Sequence, residues 1–353
     1  MRATRLPVIA ILAALAVPHL AAQARVAVSN QPTNETLTAV PGIKVGHHTL
    51  DSRPTGCTVV LAEAGATAAV DVRGAAPATR ETDLLDPVNA VQVAHAVVLT
   101  GGSAFGLDAA SGVMRYLEEK KIGFAFGPAH VPIVPGAALF DLAVGDGLIR
   151  PTADCGYQAA TAATGGPVAE GSVGAGAGAT LGKAAGSAHA MKGGVGTASV
   201  SLPGGLIVSA LVAVNAFGDV IDPATGQVVA GARAADGRTF ADARTLLRTG
   251  GVHFASSPQN TTLGVIATNA RLTKTDAKRV AQMAHDGYAR AISPVHTPVD
   301  GDAIFALATG SLAGPADVGQ IGALAADVMA SAIVRAARQA TSVAGYPALR
   351  DLR

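Results

Sequence analysis

Two hydroxyl residues, Thr261 and Thr262, stand directly after Asn260 and directly before the apolar run Leu263-Gly264-Val265-Ile266-Ala267. A hydroxyl is a poor nucleophile until a base takes its proton, and a chain cut before Thr261 would supply that base as its freed α-amine. The ordinary pKa of an α-amine is about 7.7 to 8.0, so an appreciable part of it is neutral near neutral pH. The plainer alternative is a polar lead-in to a buried strand. Other polar residues set in apolar or glycine-rich surroundings could complete a site. Lys192 lies in His189-Ala190-Met191-Lys192-Gly193-Gly194, where glycines let the backbone approach another segment and could aim the ammonium into a pocket; a solvated loop lysine is the alternative. Asn215 closes the apolar run Leu206 to Val214, where its amide could start a turn or donate to an oxyanion. Asp300 and Asp302 flank Gly301 just before Ala303-Ile304-Phe305, two carboxylates that could face one site or simply make a turn.

Three tempting motifs fail on their mechanics. Gly174-Ala175-Gly176-Ala177-Gly178-Ala179 resembles a dinucleotide turn, but no strand opens it and no acidic residue follows at the distance needed to hold a ribose. Gly182-Lys183 ends a phosphate-loop lookalike in which Ala177 replaces the first glycine and Ala184 the magnesium-binding hydroxyl. Gly101-Gly102-Ser103-Ala104-Phe105 follows a strand like a nucleophile elbow, yet Phe105 stands at the last glycine position. Its amides are expected to shape a wall or support a turn. No cofactor is expected.

The elements that must position these residues are strands and helices in alternation. Strands are predicted at Val59 to Leu61, Ala68 to Val72, His95 to Leu99, Ala198 to Leu202, Leu206 to Val214, Leu263 to Thr268 and Ala303 to Ala308, several continuously apolar as in strands buried on both faces. A helix is predicted from Thr273 to Ile292, with Val280, Ala284, Tyr288 and Ala291 on one stripe and Thr273 and Asp276 in capping-box spacing. Gly287 weakens it, since glycine inside a helix costs about 1 kcal/mol against alanine. Val318, Ile321, Leu324, Val328 and Ile333 mark a second helix. The stretch 218–249, rich in Gly, Asp and Arg, reads as a surface excursion ahead of Thr261.

Composition narrows the partners. Arg2 and Arg5, the apolar run Leu6 to Leu20 and the small-x-small Ala22-Gln23-Ala24 read as a secretory signal over residues 1–24, giving a periplasmic or secreted protein. The run is too short to span a bilayer, and no membrane association is expected after signal removal. A formal charge of +1 and 3% aromatic content argue against a nucleic-acid partner. The nine histidines are scattered without ligand spacing, so no metal is expected. Cys57 and Cys155 are the two cysteines. A buried free thiol at Cys57 is expected over a disulfide, because Thr58-Val59-Val60-Leu61 reads as a buried strand. Tyr157 reads as packing rather than as a pocket wall.

Taken together, Asn260-Thr261-Thr262 before Gly264-Val265-Ile266-Ala267-Thr268, Lys192-Gly193-Gly194, Val214-Asn215-Ala216-Phe217-Gly218-Asp219, Leu99 to Leu107 and Val131-Pro132-Ile133-Val134-Pro135 resemble the self-processing aminopeptidases, which include D-aminopeptidases, β-peptidyl aminopeptidases and nylon-oligomer hydrolases. The resemblance implies an α/β (α+β) fold, a four-layer αββα sandwich, formed as a single domain over 25–353. It implies a precursor that cuts itself between Asn260 and Thr261 into an α-chain 25–260 and a β-chain 261–353. Thr261 would then form an acyl-enzyme with a short peptide or amide, with either its amine or Lys192 taking the proton. Asn215 would stabilise the oxyanion, while Asp300 and Asp302 would orient Lys192 and the amine, as in the nylon-oligomer branch; the β-peptidyl branch instead has Ser and Glu there and a Ser nucleophile. A homo-oligomer of αβ units is implied as well. The alternatives are an ω-amino-acid oligomer hydrolase, an acyltransferase of the ornithine acetyltransferase type, which the export signal disfavours, and an inactive binding protein.

Overall fold

The computed structural model describes residues 34–352 apart from 253, 255–259 and 344; the signal-like stretch 1–24 lies outside the described residues. The strands of the main sheet and of one short pair are β1 (Lys44–Thr49), β2 (Gly56–Val72), β3 (Thr79–Arg80), β4 (Val93–Thr100), β5 (Gly136–Ala138), β6 (Thr180–Leu181), β7 (Met191–Lys192), β8 (Gly194–Ser201), β9 (Ile207–Asn215), β10 (Thr261–Thr268) and β11 (Ala303–Ala308), with β6 and β7 making the short pair. Nine of them make one mixed sheet in the order β8-β9-β10-β11-β2-β4-β5-β3, with β1 paired to β2. The β10–β11 and β4–β5 pairs are parallel, and the other pairs within the sheet are antiparallel. The expected mixed α/β architecture is present.

Continuous apolar runs arise because both faces of the strands are covered. Along β9, Val208, Ala210, Val212 and Val214 join the core formed with α3 (Lys274–Ala291) and α4 (Val318–Gln339). The intervening Leu211 and Ala213 turn to a second core with Leu263, Val265, Phe305, Val60, Val97 and Leu99. A third core joins Val59, Leu61, Ala96 and Val98 to α1 (Ala109–Glu119) and α2 (Ala153–Thr161). Two strands expected around Val59 and Ala68 are one strand of 17 residues. Its register against β4 slips between Leu61 and Ala66, and Gly65 there has φ 81°, so a bulge carries the chain on without ending the strand.

The helix from Thr273 forms as predicted, capped by reciprocal bonds between Thr273 and Asp276. The glycine that weakened it on propensity is the point of close helix approach: a Cβ on Gly287 would lie 2.4 Å from the Ala326 carbonyl oxygen of α4. Two expectations are overturned. Residues 218–249 are not merely a surface excursion: Asp219, Val220, Ala230, Ala232 and Ala243 are buried, and Asp219 accepts from the amides of Ala232 and Ala243, each at 2.7 Å. Cys57 is not a free thiol. It is bonded to Cys155, tying β2 to α2 across 98 residues with Cα atoms 6.0 Å apart. The burial that suggested an inert thiol equally places Cys57 against α2, where its partner arrives from a distant part of the chain.

Candidate active site

Strand pairing builds the site. The antiparallel register of β9 and β10 sets Asn215 opposite Thr261, so both side chains lie on one face of the sheet. The parallel register of β10 and β11 continues ahead of their ladder as a bridge between Asn260 and Asp300. In consequence the Gly301 amide donates to the Asn260 carbonyl oxygen at 3.2 Å. The Thr261 hydroxyl donates to that same oxygen. The Asn260 carbonyl is therefore held by one backbone donor and touched by the adjacent Thr261 hydroxyl, in a region where Asn260 and Thr261 are buried. Glycine is required at 301, because a Cβ there would stand 2.7 Å from Thr261 Oγ1 and 2.5 Å from the Ala76 carbonyl oxygen.

The two aspartates approach from either side of Gly301. Asp302 Oδ1 accepts from the Thr262 amide at 2.7 Å. Asp300 accepts from the Thr297 amide at 3.0 Å and, at 3.4 Å, from the Phe217 amide just past Asn215. Burial pushes the Asp300 carboxyl up to about 6, with the like charge of Asp302 adding to it, while bonds from Thr297 and the nearby Lys183 ammonium oppose the rise.

Asn215 is buried, and its amide orientation is fixed by its partners. Oδ1 accepts from Thr180 N at 3.0 Å and from Lys183 Nζ at 3.1 Å, so Nδ2 points the other way, to the Phe140 carbonyl at 3.0 Å. The amine that reaches this constellation is that of Lys183, in the segment set aside above as a phosphate-loop lookalike. Lys183 Nζ also donates to Thr180 O at 3.1 Å; burial lowers its pKa to about 7, with Asp300 as the opposing charge. Lys192, which the sequence favoured, lies elsewhere in the hydrogen-bond pattern. Fully buried, its Nζ donates to the carbonyls of Gly176, Ala179 and Gly193 at 2.7 to 2.9 Å. Burial also lowers its pKa to about 7, and the charge it feels is Asp141. These bonds, with the β6–β7 pairing of Thr180 to Lys192, hold the glycine-rich segment that presents Thr180 and Lys183 to Asn215. The sequence singled out Lys192 and met Lys183 only in the phosphate-loop lookalike; the structure gives Lys183 the side-chain bond to Asn215 and Lys192 the three carbonyl bonds.

The other singled-out residues have structural partners. The Gly102 amide donates to Asp141 Oδ1 at 2.9 Å, so the elbow-like turn supports the buried Arg53–Asp141 ion pair. Tyr157 donates to Glu119 at 2.8 Å and lies under the Arg115 guanidinium. Among the described residues no group of three or more His, Cys, Asp or Glu is placed to hold a metal ion.

The family description "Peptidase family S58" matches residues 35–349. An uncharacterized aminopeptidase of Mycobacterium tuberculosis is 47% identical over 345 residues, covering 90% of this chain and 97% of its own. A 6-aminohexanoate-oligomer endohydrolase of a Kocuria species is 31% identical, covering 84% of each chain. Among solved structures, a Burkholderia β-aminopeptidase matches with TM-score 0.65 at 24% identity over 88% of each chain. The L-aminopeptidase D-Ala-esterase/amidase of Ochrobactrum anthropi, described as a variant of the Ntn hydrolase fold, matches with TM-score 0.64 at 21% identity over 88% of this chain and 87% of its own. The fold is thus a variant of the Ntn hydrolase fold, and the chain belongs to peptidase family S58, a family of hydrolases.

Proposed function

We propose that this protein is an exported, self-cleaving aminopeptidase or amidohydrolase whose nucleophile is Thr261. The observation that carries the reading is the contact of the Thr261 hydroxyl with the Asn260 carbonyl, which Gly301 holds from the backbone. In the first step Thr261 Oγ attacks the Asn260 carbonyl carbon while the oxyanion keeps the Gly301 donor. Collapse breaks the C–N bond and leaves an ester on Thr261 with its amine free, and water hydrolyses the ester to release Asn260 as a carboxylate. The same hydroxyl then attacks a substrate amide, giving an acyl-enzyme that a second water resolves. Lys183, with its pKa near neutrality and its bond to Asn215, is the side chain best suited to pass protons beside the new amine. Asn215 and the Asp300 and Asp302 carboxylates hold that geometry.

Short peptides with an accessible amino end are the favoured substrates, given the identity to an aminopeptidase over nearly the full chain. Oligomers of ω-amino acids are the second reading, supported by the 31% identity to the 6-aminohexanoate-oligomer endohydrolase. Export is supported by the disulfide, a bond that persists in oxidising compartments. The processed αβ units are proposed to associate with one another. Intact-mass measurement of denatured protein tests the core of the reading: two fragments meeting between Asn260 and Thr261 for the native sequence, and one chain for Thr261→Ala. A native chain that stays whole while hydrolysing amides would remove Thr261 as an N-terminal nucleophile.

A further inference from the structure

We infer that His296 is a positioning residue for Thr261, acting through Asp302 on the peptide that follows the nucleophile; the inference rests on the self-cleavage reading above. Asp302 uses both oxygens. Oδ1 accepts from the Thr262 amide at 2.7 Å, and Oδ2 accepts from His296 twice, from its amide at 3.2 Å and from Nδ1 at 2.8 Å. A carboxylate can only accept, so Nδ1 carries the hydrogen. The double contact needs an unusual backbone. His296 has φ +54°, in the left-handed region where a non-glycine residue is uncommon, and that turn aims its amide and its ring at one oxygen.

The ring is held from its other sides. It stands edge-on to His285 with centroids 4.8 Å apart and stacks on Tyr288 at 5.8 Å, both from α3. His285 in turn reaches Asp71 on β2, at 3.1 Å to its carbonyl oxygen. Asp302 is thereby fixed between the strand end bearing the nucleophile and a wall of aromatic rings. Rotation of its carboxylate would release the Thr262 amide, and with it the direction in which Thr261 projects its hydroxyl. Nothing in the cleavage chemistry requires His296 to exchange a proton with substrate, which is why its role is one of position.

Two substitutions separate the hydrogen bond from the packing. His296→Asn keeps a side-chain N–H near the place of Nδ1 and tolerates a left-handed backbone, but has no ring. His296→Phe keeps a ring and loses the donor. Each variant and the native chain are synthesised in a cell-free extract, and the fraction cut between Asn260 and Thr261 is followed by intact mass, with thermal melting of the purified chains as the control for folding. The expected result is cleavage of His296→Asn within a few-fold of the native rate, and of His296→Phe slower by about tenfold to a hundredfold, the range for losing one hydrogen bond to a charged group. Equal slowing of both variants, or native-like cleavage by His296→Phe, overturns the assignment in favour of ring packing or of no role. A native chain that is never cut sinks the self-cleavage reading itself, so the two failures are told apart.

Discussion

At the scale of single residues, two buried lysines with similarly lowered pKa values have different partners. Lys183 touches Asn215 and feels Asp300, whereas Lys192 is bound to three backbone carbonyls. If Lys183 passes protons, its neutral form is the active one, so hydrolysis should rise as pH increases through about 7, the value to which burial lowers it. Lys183→Met should abolish that limb and cost about 10²- to 10⁴-fold in kcat/KM, the usual worth of a general acid or base. Lys192→Met should instead lower stability by about 1–3 kcal/mol in urea denaturation, since it leaves buried carbonyls unpaired. A pH profile unchanged in the Lys183 variant would rule that lysine out as the base. Thr261, Asn215 and Asp302 could be singled out as candidates in the sequence because each sits at a strand end, where an apolar run stops at a polar residue, and Asp300 because it stands beside Asp302 across Gly301. Lys183 was not, because its meaning depends on strands β6 and β9 meeting in space.

At the scale of elements, the site is a place where three backbone segments run unusually close. Residues 73–76 strap the Asp300–Asp302 turn from outside, with the amides of Arg73 and Gly74 donating to Asp302 O and that of Ala76 to Asp300 O, at 2.9 to 3.1 Å. Gly74 permits this approach, since a Cβ there would lie 2.1 Å from the Asp302 amide nitrogen and 2.5 Å from the Asp300 carbonyl oxygen. Gly74→Ala should push the turn away from β10 at a cost of about 1–3 kcal/mol, typical of overpacking. Its stronger effect should be on chemistry, because the Gly301 amide moves with the turn: the precursor should accumulate, as seen by intact mass. Gly166→Ala is the control, a site where the nearest atom is 3.6 Å from a new Cβ. If both variants are cut at the native rate, the strap does not position the site. Strands β4, β9, β10 and β11 and both long helices could be read from periodicity. The bulge in β2 and the buried parts of 218–249 could not, since a lone glycine or aspartate does not reveal which distant amides will meet it.

At the scale of the whole molecule, the crosslink and the proposed cut divide the chain differently. Cys57 and Cys155 both precede residue 260, so the disulfide closes a loop wholly inside the α-chain and leaves the β-chain attached by packing and sheet hydrogen bonds alone. That packing is extensive, because β10, β11, α3 and α4 all belong to the β-chain and share the first two cores with β9 and β2. The processed protein should therefore stay together in native buffer, yet separate into two bands on a denaturing gel without any reductant. Replacing both cysteines by alanine should leave that pattern unchanged while lowering stability by about 2–5 kcal/mol, the usual cost of losing a bridge that closes a long loop. The pairing could not be read from sequence because 98 residues separate partners whose Cα atoms end 6.0 Å apart. Bands that part only after reduction would mean that a cysteine lies on each side of the cut, and would move the cleavage site to somewhere between Cys57 and Cys155.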